Sequence, residues 1–316
     1  MYIWKTLGSF LIILLMMPLG HAAMILMEHH LDPTPLHYCG FAMGAVGLMI
    51  VIAGVFVKRD TPATICGLAG GLLFWTGWVE FLFSYYAWRY GVHCDLLGSG
   101  VIQTTTQYVD GIGVSHEFLL NGAPLDTYDR PTLKLIRGSR PEYLIMPATF
   151  GMWMMIAMLY LFCTRTGCRF FSWWQRVLHL PDHVHIRPLT HLPAMVTFLE
   201  LNVMMWTMYL VLMFCYDPVF LGSHHLITYI VAFGCLIGSF FMLRKQLRIK
   251  QWGANIRMGI ATVLVFWSFV EVAARNGHFQ EIWIDPLNHI PEMTAILICF
   301  LILLAALILG KKTART

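Results

Sequence analysis

Eight apolar runs divide the chain, at 7–27, 38–57, 64–87, 143–163, 192–214, 226–243, 258–274 and 293–310. Each approaches the roughly 20 residues of α-helix that a bilayer core requires. Lipid offers the backbone no hydrogen-bond partner, so each run is expected as a helix that satisfies its own amides. The runs form two groups of four, separated by the basic segment 164–191. The pattern predicts an all-α polytopic membrane protein of about eight transmembrane helices. Residues 1–163 form a first four-helix half, 164–191 an inner linker, and 192–316 a second half. The first run, with Lys5 ahead of it and Gly20-His21-Ala22 after its apolar core, has the layout of a secretory signal. It is read as the first transmembrane helix, kinked or loosened near Pro18.

The halves share an ordered set of short motifs. Asp32-Pro33 before His37 matches Asp217-Pro218 before His224, and Phe74-Trp75 ahead of Glu80 matches Phe266-Trp267 ahead of Glu271. Arg89-Tyr90-Gly91-x-His93 then matches Arg275-Asn276-Gly277-His278, and Pro141-Glu142 matches Pro291-Glu292. A four-plus-four repeat in the same orientation is the expected architecture. The halves differ most in the long segment 88–142. Its run Val101 to Val109 looks extended and, with the turn residues around it, predicts a short β-hairpin or cap over the helix ends.

Charge is sorted by end. Of 21 Lys and Arg residues, 15 fall at one set of helix ends. Nine of the 14 histidines and 12 of the 17 carboxylates fall at or beyond the other. The excess of basic residues marks the cytoplasmic side. The expected setting is thus a bacterial inner membrane with both termini cytoplasmic. The overall composition, 58% hydrophobic and 12% charged with a net charge of +4, rules out a soluble domain. The cations lie in membrane-flanking loops, so nucleic acid is not an expected partner; the lipid bilayer and other membrane subunits are. The eight cysteines include no CxxC or CxxCH. Cys39 and Cys94 share the outer side, where a disulfide and plain apolar packing are both open readings.

Carboxylates inside a membrane are costly to bury, which makes Glu80 and Glu271 the candidate catalytic or proton-relaying groups. An interhelical hydrogen-bonding role is the alternative for both, and is favoured for Glu200. On the outer rim, His37, His224 and His289 stand among Asp32, Asp217, Glu281, Asp285 and Glu292. Imidazole with carboxylate suits copper, iron or zinc, and spacing does not choose among them. A second His tract, His179-x3-His183-x-His185-x5-His191, is read as a solvated linker that faces lipid headgroups.

The order Asp217-x2-Phe220-x2-Ser223-His224, then Asn276-Gly277-His278, Glu281, Pro286-Leu287 and His289, resembles the membrane C subunit of particulate methane and ammonia monooxygenases. It covers about 217–310. The resemblance implies a copper site on the outer side, with His224, His278 and His289 as ligands and Asp217 and Asn276 beside them. Two parts of the family pattern are missing: the Asp-x3-His pair before Ser-His, and the Asn-x3-His spacing. The segment Asn121-Gly122 … Arg137-x3-Pro141-Glu142-Tyr143-x2-Met146 is similar to the A subunit of the same enzymes. Three functions follow as expectations. They are a copper monooxygenase-like oxidoreductase or a subunit of one, a non-catalytic subunit or assembly factor of a membrane complex, and a proton- or ion-coupled transporter.

Overall fold

The computed structural model describes residues 2–31, 33–89, 102–109, 112–120, 123–124, 149, 153, 156, 169–177, 192–216 and 221–309. Six of its helices are long and apolar enough to cross a membrane. The first, α1, is Ile3–His30 and runs unbroken through Pro18. Next is α2, Pro33–Val55, and then α3, Asp60–Phe74. A π-helical segment, Trp75–Glu80, carries α3 into α4, Phe81–Arg89. After the short amphipathic α5, Arg169–Val177, come α6, Pro193–Tyr216, α7, Leu226–Gln246, and α8, Trp252–Arg275. A seventh apolar helix, α9, is Ile290–Leu309. The expected run 143–163, apart from three single residues, and the linker 178–191 lie outside the described residues, as do Asp217 and Cys94.

Three short strands lie between α4 and α5: β1, Ile102–Val109; β2, Ile112–Leu120; and β3, Ala123–Pro124. β1 and β2 pair antiparallel, with Thr106 opposite His116 and a register shift between Gln107 and Tyr108. The three consecutive β-branched residues Thr104, Thr105 and Thr106 favour extended backbone and so favour this pairing.

The bundle is closed at two levels. At mid-height, α2 and α3 meet through glycine. A Cβ on Gly47 would lie 2.6 Å from the Gly70 carbonyl oxygen, and one on Gly70 would lie 2.6 Å from that of Gly47. With no hydrophobic driving force between helices in lipid, such small-residue seams let backbones touch and gain dispersion energy. A second cluster joins α1, α3, α6 and α8, where Ile13, Leu68, Trp75, Leu201, Met204, Ile260 and Leu264 pack together.

The second level is polar, at the ends where α1 begins and α7 finishes. Asn255, fully buried, donates to Thr6 Oγ1 and to the Gln246 and Ile249 carbonyls at 3.1–3.3 Å. Gln246 Nε2 donates back to Asn255 Oδ1 at 3.1 Å, and Thr6 Oγ1 donates to the Gln246 carbonyl at 3.2 Å. Beside them, Arg257 reaches Asp60 Oδ1 at 3.1 Å and Thr64 Oγ1 at 2.6 Å, joining α8 to α3. Buried polar groups are costly unless partnered, so this knot fixes the relative heights of four helices.

Gly70→Val places a branched side chain against the α2 backbone. It is expected to cost at least about 1–3 kcal/mol, as overpacking does. Thermal unfolding of the detergent-solubilised protein measures this; an unchanged midpoint would exclude the close approach.

Candidate functional site

The π-helical turn is the feature that builds the site. One wider turn within a helix shifts the register of the side chains that follow, and such turns are frequent at functional sites. Here it contains Gly77, whose Cα faces the α2 backbone at Gly40 and Gly44. Trp75 is fully buried on the inner side, stacked edge-on against Trp206 and tilted against Tyr209. The last residue of the turn, Glu80, accepts a 2.7 Å hydrogen bond from the Tyr209 hydroxyl on α6. Phenol-to-carboxylate bonds of this length are strong, and they hold the acceptor in one orientation. Against the same pair lies a cavity of about 20 Å³, bordered by Met16, His21, Trp75, Thr76, Glu80 and Tyr209. That volume is enough for one water molecule.

Across the bundle, Glu271 on α8 lies within electrostatic reach of Glu80, Glu281 and Arg275. Glu271 and Arg275 are one turn apart on the same helix face. Arg275 is steadied from a neighbouring connection: its Nε donates to Ser223 Oγ at 3.2 Å, and its guanidinium lies 4.2 Å from the Tyr216 ring centre. Three carboxylates and one arginine thus form a single electrostatic group, extending from the interior to the helix ends.

Glu281 joins it because of the way α8 stops. Gly277, with φ of 78°, turns the chain back. The His278 amide then donates to the Ala273 carbonyl and the Gly277 amide to that of Ala274, at 3.1 and 2.8 Å. This pattern of a left-handed residue and two reversed bonds is the glycine-closed helix end. The returning chain is pinned by Trp283, which stacks on Trp267 with ring centres 4.9 Å apart. Burial pushes the Glu281 carboxyl above the ordinary range for glutamate, and Arg275 partly offsets it.

The expected metal ligands have other surroundings. His224 and His278 are exposed. His37 packs edge-on against Tyr85, ring centres 4.4 Å apart. Asn276 is bonded on all sides, accepting from the Tyr229 hydroxyl at 2.9 Å and donating to the Ser223 and Val272 carbonyls. It ties α7 to the end of α8. The neighbour His225 caps α7, its Nδ1 accepting from the Ile227 amide at 3.2 Å. His289 Nε2 lies 2.9 Å from the Gln280 amide nitrogen, and its Nδ1 lies 3.9 Å from Glu292. Among the described residues, no group of three or more His, Cys, Asp or Glu side chains is close enough to hold a metal ion. Tyr209 and Arg275 are the site residues that the sequence reading did not single out. A lone phenol within an apolar run, and an arginine one turn after an intramembrane glutamate, are signals that would have found them.

The fold and this half-buried cluster define a polytopic, predominantly helical membrane protein. Comparison of the chain with known protein families, curated proteins and solved structures gives no match.

Arg275→Gln removes the charge that opposes burial at Glu281, so the Glu281 carboxyl is expected to titrate at still higher pH. A raised carboxyl stabilises the fold while protonated, so its contribution is complete below the ordinary glutamate value and is lost as pH rises through the raised one. Infrared difference spectra of the protonated-carboxyl band across a pH series, compared with Glu281→Gln, measure the shift. A band that titrates at the same pH in both proteins would show that Arg275 does not act on Glu281.

Proposed function

We propose that the chain is a proton-coupled membrane transporter, in which protons enter at Glu281 and are handed to Glu271 and Glu80. The observation that supports this reading is the electrostatic grouping of Glu80, Glu271, Glu281 and Arg275, two of its carboxylates within membrane-spanning helices. Ionisable groups at such depth face the bundle interior and mark proton or ion paths. A carboxylate holds or releases a proton according to its neighbours. Here each proton taken up by one glutamate relieves its repulsion with the next. The positive charge of Arg275 offsets part of the repulsion at Glu271 and Glu281, and the Tyr209 hydroxyl can both donate to and accept from a water in the cavity beside Glu80. On the four-plus-four reading, Glu80 and Glu271 are counterparts in the two halves, and facing sites of that kind suit alternating access. Glu200, 1% exposed on α6, lies roughly 14 Å further along that helix from Tyr209 and continues the polar line toward the basic ends.

In liposomes carrying a trapped pH dye, the reconstituted protein is expected to pass protons under an imposed potential. Glu80→Gln and Glu271→Gln should each slow this by about 100-fold or more, the scale of a lost proton-transfer group. Wild-type rates in both variants, with correctly folded protein, would overturn the reading.

A second reading, a copper, iron or zinc site on the rim, is favoured by His289. The amide nitrogen of Gln280 only donates, so Nε2 of His289 accepts, and Nδ1 carries its proton toward Glu292. To ligate a metal, Nε2 would exchange its bond with Gln280 for the ion while Nδ1 goes on facing Glu292, a recurring arrangement for metal-ligating histidine. His224 and His278, or ligands from a partner membrane subunit, would complete it. Elemental analysis of the native complex is expected to give near-stoichiometric metal that is lost in His278→Ala and His289→Ala. Metal-free protein in its native complex would remove this reading.

A further inference from the structure

At the basic ends of the helices, a groove of about 1100 Å³ runs between α5 and the ends of α7 and α8. Its lining has two zones. At the mouth stand Arg169, Arg176, Lys245 and Arg248, all exposed. Among the described residues that line it, none is a carboxylate. Below the mouth the walls are apolar, with Phe241, Met242 and Met258. Gly238 lies two turns deeper than Lys245, a depth of about 10 Å along the helix. A Cβ built on Gly238 meets nothing within 4 Å, so the groove stays open at that depth. The mouth is ordered by stacking: the Lys245 ammonium lies 4.5 Å from the Trp173 ring centre, and Trp173 packs edge-on against Trp174. Paired tryptophans of this kind settle at the headgroup level of a bilayer.

We propose that this groove is a binding site for an anionic phospholipid. The phosphate sits among the four cations, and one acyl chain lies along Phe241 and Gly238. Charge complementarity selects the occupant. Four cations with no carboxylate among the described lining residues need an anion, and the apolar zone beneath them needs a chain that a free phosphate does not have. Basic pockets between transmembrane helices on the positively charged side hold acidic headgroups in this way. Guanidinium groups from two sides suit the phosphate better than amines alone, because they present paired donors.

Trp173 is the reporter. Its fluorescence in the full-length, detergent-solubilised protein is expected to change saturably with dioctanoyl-phosphatidylglycerol, and the change to disappear in Trp173→Phe. The response to dioctanoyl-phosphatidylcholine or to inorganic phosphate should be at least about 10-fold weaker, given roughly fivefold in affinity for each well-placed cation near a membrane surface. The triple variant Arg169→Gln, Arg176→Gln, Arg248→Gln should bind roughly 100-fold or more weakly, while the matching triple Lys variant retains most of the affinity. Gly238→Phe leaves every charge in place and should weaken binding of the lipid but not of glycerophosphate. Equal binding of the zwitterionic lipid, or an unchanged affinity in the triple Gln variant, would overturn the proposal. Phosphate binding as tight as the lipid's would assign the mouth to a free anion instead, and overturn it equally.

Discussion

The close approach of α2 and α3 is the constraint on which the rest of the interior depends. Between helices in lipid, attraction comes from packing, and packing requires that the backbones be allowed to touch. Gly47 and Gly70 allow it at mid-height, and Gly77 extends the contact to Gly40 and Gly44 toward the rim. That last contact falls inside the π-helical turn. A helix drawn onto its neighbour there accommodates one extra residue in the turn, and every side chain beyond it is re-aimed. Glu80 meets Tyr209 because of that shift, and Trp75 is buried at the centre of the bundle.

α8 is the complementary element, in contact with α1, α3, α6 and α7 and carrying groups at both of its ends. At its start, Asn255 and Arg257 lock it to α1, α7 and α3. At its finish, Gly277 and Trp283 fold the following segment back over it. Glu271 lies between these two anchors. A carboxylate within a membrane is costly to hold in place, and rigid anchoring on either side keeps it from escaping to water. The same rigidity sets Arg275 between Glu271 and Glu281, where it offsets part of their mutual repulsion. The lipid groove proposed at the basic ends adjoins this anchored end, so an acidic headgroup there would bear on the ends of α7 and α8.

Much of this is legible in the chain. The apolar runs predict the membrane helices because helical backbone is the only open-ended backbone that lipid tolerates, and seven of the eight are helices among the described residues. The extended-looking run Val101 to Val109, with turn residues around it, anticipates β1. Glu80 and Glu271 stand out because a charge in an apolar run is conspicuous. The histidines are the opposite case. His224, His225, His278 and His289 look alike as members of a polar rim, yet one caps a helix, one faces Gln280 and Glu292, and three, the capping one included, are exposed. Spacing along a loop does not determine where an imidazole points, because each loop residue has its own backbone angles.

The sequence by itself determined where most of the apolar helices lie, the separation of a basic end from a His- and carboxylate-rich one, and which carboxylates lie in apolar runs. Those properties depend on transfer of side chains and backbone between water and lipid, which acts residue by residue. Only the tertiary structure decided that Glu80, Glu271 and Glu281 act on one another, that Tyr209 and Arg275 belong with them, and that Asn276 ties two helices together. Those outcomes depend on the glycine seam, the π-helical turn and the reversal at Gly277. Each of these aligns residues far apart in sequence, and each arises from contact between helices.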